Sequence, residues 1–478
     1  MNFGNKKINI SLTVLIAFSL SSFLFILLLF SLRSWSYDDP YITYRYAENL
    51  AAGRGLVFNI GERVLSTTTP FFALLLAALH NPYVSTHALA NGLGAFSLAY
   101  GGFLLWLILR HQEANYAAWL SLLLFPIFPS VIKTISSETP LYIFTGLLTI
   151  YLYQIRKFNW SAFFAGLIVL IRPDGLILPG LLIIINLIQH RKIPFKYGLI
   201  VLFVNLPWLI FAWLYFGLPI PITLNVKQSQ GVMQISQLFA PGFLDLIKQF
   251  LSQPIYWIHC LLFTVGLVFL IVEKKIQNQI VLFWVVLYFL AYTIMGVTRY
   301  FWYYAPLFPA IIILIGLGLE WLKKISPKTY QKYFATSLML FLFIFQLNVF
   351  FKSSQQFDKR VSIYKEIGIW LNQYTDETDT IGLLEVGIIG YYADRTMIDF
   401  AGLIKPEVAK SMQANTTYQD TAKWAVEKYH PNYLVLHEGF ISQDLLTNHF
   451  NCLSVKQFEG DLYNYSTMII YKCNWPGN

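Results

Sequence analysis

The chain has 478 residues, 56% of them hydrophobic and 12% charged, with a mean hydropathy of +0.54. That balance excludes an ordinary soluble domain and reads as a multi-pass membrane protein. A formal charge of +9 raises nucleic acid as a partner, but no nucleic-acid-binding module is present, and a basic excess in a membrane protein follows from topology. The three cysteines show no zinc or redox spacing. Cys260 lies in an apolar run as packing, whereas Cys452 and Cys473 pair if their region is extracytoplasmic and are free thiols otherwise.

The first apolar run, Ile8 to Leu32, follows Lys6 and Lys7 and carries no charge until its end. It exceeds a signal-peptide core and lacks a small-residue cleavage site, so it is expected to stay as a transmembrane anchor. The segment Ser36 to Glu48 is the first densely polar one, and it places two adjacent carboxylates, Asp38 and Asp39, at the mouth of a span, where charge is costly and usually functional. Asp before Pro is a common helix start, so Asp39 is expected to cap the next helix and Asp38 to stay free for a substrate. On that helix Ile42, Tyr46 and Leu50 share one face and Tyr41, Arg45 and Glu48 another, and Gly53 ends it. Ser66 to Pro70 repeats the cap-and-proline signal and opens Phe71 to His80, too short to cross the bilayer and read as a second interfacial helix.

Further apolar runs cover about 85–109, 117–134, 139–155, 160–172, 175–189, 197–216, 255–272, 279–297, 302–322 and 333–351, giving eleven spans with the first. The two that flank Arg172-Pro173-Asp174-Gly175 are short, and a single bent hairpin is the alternative there. With the N-terminus in the cytoplasm, Arg110-His111, Arg156-Lys157, His190-Arg191-Lys192, Lys274-Lys275 and Lys323-Lys324 all fall on the cytoplasmic side. The other side then collects the first outer loop at 33–82, Glu138, the Arg172 turn, the 217–253 loop, Arg299 and everything past Phe351.

The chain thus divides into a transmembrane part, 1–352, and a soluble part, 353–478. In the latter, Ile363, Ile367, Trp370 and Leu371 mark a helix, Thr380 to Val386 a strand, Thr421 to Tyr429 a helix and Asn432 to Leu436 a strand. The expected architecture is an α-helical polytopic membrane protein with a C-terminal extracytoplasmic α/β domain. Four glycosylation sequons, at Asn9, Asn159, Asn415 and Asn464, arise at a frequency chance allows.

Glu138, at the outer start of a span, suits either an acceptor hydroxyl or a shared cation; its plainer alternative is a favourable charge in a first helical turn. Arg172 and Asp174 read either as ligand contacts or as an internal ion pair. Lys227, Arg299 and the adjacent Tyr300 stand at the outer membrane edge, where a cation neutralises either a lipid phosphate or bulk headgroups. The aromatic run Phe301 to Tyr304 is the interfacial belt expected at span ends.

Asp38 through Asn59 resembles the first outer loop of membrane glycosyltransferases of the GT-C superfamily, especially the arabinofuranosyltransferase and mannosyltransferase-like group that uses polyprenyl-phosphate sugars. Ser137-Glu138, Arg172 to Gly175, Arg299-Tyr300, Glu385 to Tyr392 and Asp399 to Leu403 are similar to segments of that group, in the same order. Two positions depart: Ser-Ser-Glu-Thr stands where a glycine before Leu-Glu is common, and Asp174 stands where glutamate is common. The resemblance implies inverting transfer from a polyprenyl-phosphate sugar to a glycan, lipid or protein acceptor at the bilayer's outer face. The first-loop acid, Asp38 or Asp39, serves as base. The expected assignment makes Asp38 the base and gives Glu138 the acceptor or a divalent cation, which Asp38 and Asp39 would help to hold. Lys227, Arg299 and Arg172 take the donor phosphate, and Arg45, Tyr41, Asp174 and Tyr300 bind substrate. A flippase for a lipid-linked saccharide is the alternative, but it predicts charges through the middle of several spans rather than at one edge.

Overall fold

The computed structural model describes residues 12–475 apart from 222, 234–236, 274–278 and 357. Lys6 and Lys7, the Asn9 sequon and the Lys274-Lys275 pair lie outside the described residues. Each of the eleven apolar runs carries a helix: Leu12–Ser31, Thr86–His111, Asn115–Leu124, Thr139–Gln154, Phe158–Ile171, Ile177–His190, Phe195–Phe216, Trp257–Val272, Ile280–Ile294, Phe308–Ile325 and Gln331–Ser354. Counting the single helical turns that extend some of them, seven are long and apolar enough to cross a membrane by length and composition. Asn115–Leu124, Thr139–Gln154, Phe158–Ile171 and Ile280–Ile294 are shorter, at 10, 16, 14 and 15 residues.

With no hydrophobic drive between helices in lipid, packing depends on close backbone approach. Trp257–Val272 and Phe308–Ile325 show this: a Cβ on Gly266 would lie 1.9 Å from the Leu314 carbonyl oxygen, and one on Gly318 would lie 2.0 Å from that of Leu262. Outward faces stay apolar, as Leu15, Phe18, Phe23 and Phe30 do around Leu12–Ser31, whose Ala17, Leu24 and Leu28 are buried. Phe158–Ile171 and Ile177–His190 are two helices joined by the Arg172 turn.

The two ends differ in chemistry. At one, the Tyr44 hydroxyl donates to the Ser136 carbonyl, Trp35 Nε1 to that of Lys133 at 3.0 Å, and the Thr223 hydroxyl to that of Ser66. This end joins the first loop, the turn before Thr139–Gln154 and the 217–253 loop. At the other, Gln279 donates to Gln112 at 2.7 Å and Lys324 pairs with Glu273 at 2.6 Å.

The first loop forms the two expected short helices, Pro40–Ala51 and Pro70–Leu79, each with proline in its first turn. Gly53 follows the first in left-handed backbone, φ 73°, as a helix terminator does. After Gln331–Ser354 the chain builds a mixed five-stranded sheet with β1 (Thr380–Leu383), β2 (Thr396–Asp399), β3 (Tyr433–His437), β4 (Cys452–Phe458) and β5 (Met468–Cys473) in the order β2-β1-β3-β5-β4. β1 pairs in parallel with β2 and β3; β5 is antiparallel to β3 and β4. Helices Arg360–Tyr374, Val386–Ala393 and Tyr418–Tyr429 cover it. Cys452 and Cys473, opposite one another on β4 and β5, are disulfide-bonded.

Candidate active site

The first loop is the surface on which the C-terminal unit sits, and Asp38, Arg45, Glu48, Asn59 and Glu62 are spent on that contact. Asp38 Oδ1 accepts from the Ile388 amide at 2.8 Å and Oδ2 from the Gly387 amide at 3.1 Å, at the start of Val386–Ala393. Free amides and the helix dipole there favour a carboxylate. A Cβ on Gly387 would lie 2.1 Å from the Asp38 carbonyl oxygen, so only glycine lets the two backbones meet. Arg45 is buried, donating to the Gly390 carbonyl at 2.8 Å and the Arg395 carbonyl at 2.7 Å with its guanidinium over Phe58. Asn59 exchanges two 2.9 Å hydrogen bonds with the Met397 backbone, Glu62 pairs with Lys405 at 2.6 Å, and Tyr391 donates to Glu48. Tyr41 is buried against Tyr44, His87, Tyr391 and Tyr392.

These positions correct the local reading of the paired acids. Asp39 precedes Pro40, yet its side chain makes no capping hydrogen bond. Asp38, expected to stay free, is the one bound to backbone amides, and they belong to a helix about 350 residues away. Burial is the largest influence on Asp38, pushing its carboxyl up to about 7; the Ile388 and Gly387 amides oppose this, and the charges of Asp39 and Glu385 add to it. Arg45, buried likewise, is lowered to about 10 and stays a cation at neutral pH.

Asp39 faces elsewhere. Its side chain keeps 36% of its exposure and lies 3.7 Å from Lys227 Nζ, whose own side chain keeps 7%. Lys227 sits 3.9 Å above the Tyr300 ring. Tyr300 stacks on Trp302, with centroids 4.4 Å apart, and Trp302 on Tyr37, 5.3 Å apart. The ammonium is therefore held by a carboxylate on one side and an aromatic wall on the other. One turn along Thr223–Val232, the buried Gln230 accepts from the Tyr300 hydroxyl and donates to the Ala401 carbonyl, both at 3.1 Å. Behind it Asp399 is buried; that burial pushes its carboxyl up to about 6, against the amides of Ile404, Ala401 and Leu403 and the positive field of Lys227.

Arg172, Glu138 and Asp174 form a second group. Arg172 binds Asp174 at 3.1 Å through both Nε and Nη2, Glu138 at 3.1 Å through Nη1, and the Tyr292 hydroxyl at 2.7 Å. Tyr303 bridges the groups, its ring 5.6 Å from the Arg172 guanidinium and 5.7 Å from the Tyr300 ring. Arg299 is not beside Lys227: it pairs with Asp245 at 3.5 Å, donates to Gln237 and stays 43% exposed. Among the described residues no three His, Cys, Asp or Glu side chains are grouped to hold a metal ion.

Of the sequence candidates, Asp39, Lys227 and Tyr300 meet directly, and Glu138, Arg172 and Asp174 lie one aromatic ring away. Asp38, Arg45 and Tyr41 serve the interface. Sequence reasoning missed Tyr37 and Gln230; the latter had a signal in its spacing of three from Lys227, which puts both on one helical face.

Residues 350–471 match a domain family of unknown function, DUF8728. A search of curated protein sequences returns no match. Among solved structures, ArnT from Cupriavidus metallidurans bound to undecaprenyl phosphate is similar with a TM-score of 0.60 at 11% identity, over 96% of this chain and 98% of that one. Its apo state gives 0.62 at 12% identity, over 96% and 97%. The oligosaccharyltransferase of Archaeoglobus fulgidus gives 0.56 at 14% identity, over 89% of this chain and 69% of that one. The chain shares its fold with these ArnT and oligosaccharyltransferase structures.

Proposed function

We propose that this chain is a membrane glycosyltransferase that moves a sugar from a polyprenyl-phosphate donor to a glycan, lipid or protein acceptor outside the cytoplasm. The observation that carries this reading is the half-exposed Asp39 carboxylate beside the buried Lys227 ammonium, in a fold shared with a protein crystallised with undecaprenyl phosphate.

Displacement at the anomeric carbon needs a base for the acceptor proton and a cation for the departing phosphate. Asp39 takes the proton from the acceptor hydroxyl while that oxygen bonds to the anomeric carbon from the face opposite the phosphate. The carbon–phosphate-oxygen bond breaks, its electron pair leaves with the polyprenyl phosphate, and configuration inverts. Lys227 neutralises the charge that develops on the phosphate, and the stacked Tyr300 and Trp302 rings wall the site beside it. The base role moves from Asp38 to Asp39, because both oxygens of Asp38 are taken by backbone amides. Arg172 acts through Glu138 and Tyr303, its donors already being committed.

Mass analysis of envelope glycans tests this in a deletion strain complemented with the wild type, Asp39→Asn or Asp38→Asn. A sugar missing from the deletion should return with the wild type and stay missing with Asp39→Asn at normal protein level. Full restoration by Asp39→Asn sinks the base assignment. Purified protein that moves a lipid-linked sugar across a bilayer without forming a glycosidic bond sinks the enzyme.

A further inference from the structure

At the end of the helix bundle opposite Asp39, two adjoining cavities of about 350 and 300 Å³ open between the turns at 156–160 and 186–197. They share Phe158 and Asn159 and reach from Arg156 and Lys157 to Asn186 and Lys196. The Ser161 hydroxyl, 3.1 Å from that of Tyr197, ties the two helices beneath them.

These turns carry Arg156, Lys157, Arg191, Lys192 and Lys196, and the sole acid between Glu138 and Asp245 is Asp174. Asp174 is bonded to Arg172 at the far end of the bundle. The basic turn at Lys323-Lys324, at this same end, is neutralised: Lys323 pairs with Glu320 at 3.3 Å and Lys324 with Glu273 at 2.6 Å. Among the described residues, Lys157, Lys192 and Lys196 have no carboxylate partner. Orienting a membrane protein requires positive charge in such turns, but not a concave cleft, two side-chain amides inside it, or the lack of counter-charge. Trp160, 60% exposed, stands at the rim as an amphipathic anchor, and Phe195, 72% exposed, adds apolar surface there. Below them Phe163 and Phe203 present apolar surface along the same two helices.

We propose that this cleft is a binding site for an anionic membrane phospholipid. Lys157 and Lys196 hold its phosphodiester, Asn159 and Asn186 supply amide donors, and the acyl chains lie along Phe158–Ile171 and Phe195–Phe216. Basic pockets between membrane helices take anionic headgroups on these grounds. The site is independent of the transfer reaction.

Native mass spectrometry of the full-length protein with phosphatidylglycerol or phosphatidylcholine tests it. The wild type should retain phosphatidylglycerol preferentially. The double variant Lys157→Gln/Lys196→Gln should lose about 30-fold of that preference, and Lys323→Gln/Lys324→Gln should lose none. Equal retention of both lipids by the wild type, or an unchanged preference in the double variant, overturns the site. Displacement of the lipid by millimolar inorganic phosphate overturns the lipid assignment in favour of a free anion. If the double variant fails to fold, Lys196→Gln alone is measured, and an unchanged preference there counts equally against the proposal.

Discussion

Asp38 accepts the Gly387 amide at 3.1 Å across 349 residues of chain. The contact fixes the first loop to the C-terminal unit by a carboxylate at a helix start and a glycine with no room for a side chain. Gly387→Ala puts a methyl group 2.1 Å from the Asp38 carbonyl oxygen. The expected cost is that of forced overpacking, about 1–3 kcal/mol, seen as a lower thermal midpoint in detergent and faster proteolytic release of the C-terminal unit. An unchanged midpoint argues that the interface is looser than described.

The same contact has a pH signature. The Asp38 carboxyl is raised from its ordinary 3.8 to about 7 in the folded chain. Between those values the folded state binds more protons than the unfolded one, so this group's contribution to stability is full below about 4 and lost as pH rises through about 7. Asp399, raised to about 6, acts in the same direction over a narrower window. The wild-type midpoint should therefore fall more between pH 4 and 7 than that of Asp38→Asn, whose amide does not titrate. Parallel curves for the two proteins would show that Asp38 ionises normally.

Lys227 and Arg299 separate under substitution. Lys227→Met removes the ammonium beside Asp39 and should raise the KM for a polyprenyl-phosphate sugar by about 10- to 100-fold, the value of one charge-assisted contact. Arg299→Ala removes an exposed pair with Asp245 and should change KM less than about twofold. Steady-state kinetics with purified protein checks both, and the reverse order of effects would return the phosphate to Arg299.

The membrane part was legible because long apolar runs fold as helices in a bilayer, and each of the eleven runs carries one, seven of them of spanning length. The two predicted strands, Thr380 to Val386 and Asn432 to Leu436, correspond to β1 and β3, buried between layers. β4 was not, since its five middle residues are exposed and its pairing is interrupted between Ser454 and Lys456. The paired acids were misread for a different reason. Asp before Pro is a local rule, and the amides that claim Asp38 come from the far end of the chain. Arg45, expected with Tyr41 to bind substrate, is likewise claimed by a distant segment, donating to the Gly390 carbonyl of Val386–Ala393.

Arg172 offers the sharpest test of the second group. Its planar guanidinium grips both oxygens of Asp174 and reaches Glu138 and the Tyr292 hydroxyl with its remaining donors. A lysine has one point of charge and cannot reproduce that fork. Arg172→Met leaves two mostly buried carboxylates without a cation and should cost up to about 3–5 kcal/mol, whereas Arg172→Lys should recover part of the thermal midpoint but not the bidentate geometry. If Arg172 also touched the departing phosphate, Arg172→Lys, which cannot reproduce a forked contact, would raise the KM for the donor. If it serves only to hold Glu138 and Tyr303, the lysine variant should lose kcat while KM for the donor stays near that of the wild type, and that split in the kinetics decides between the two roles.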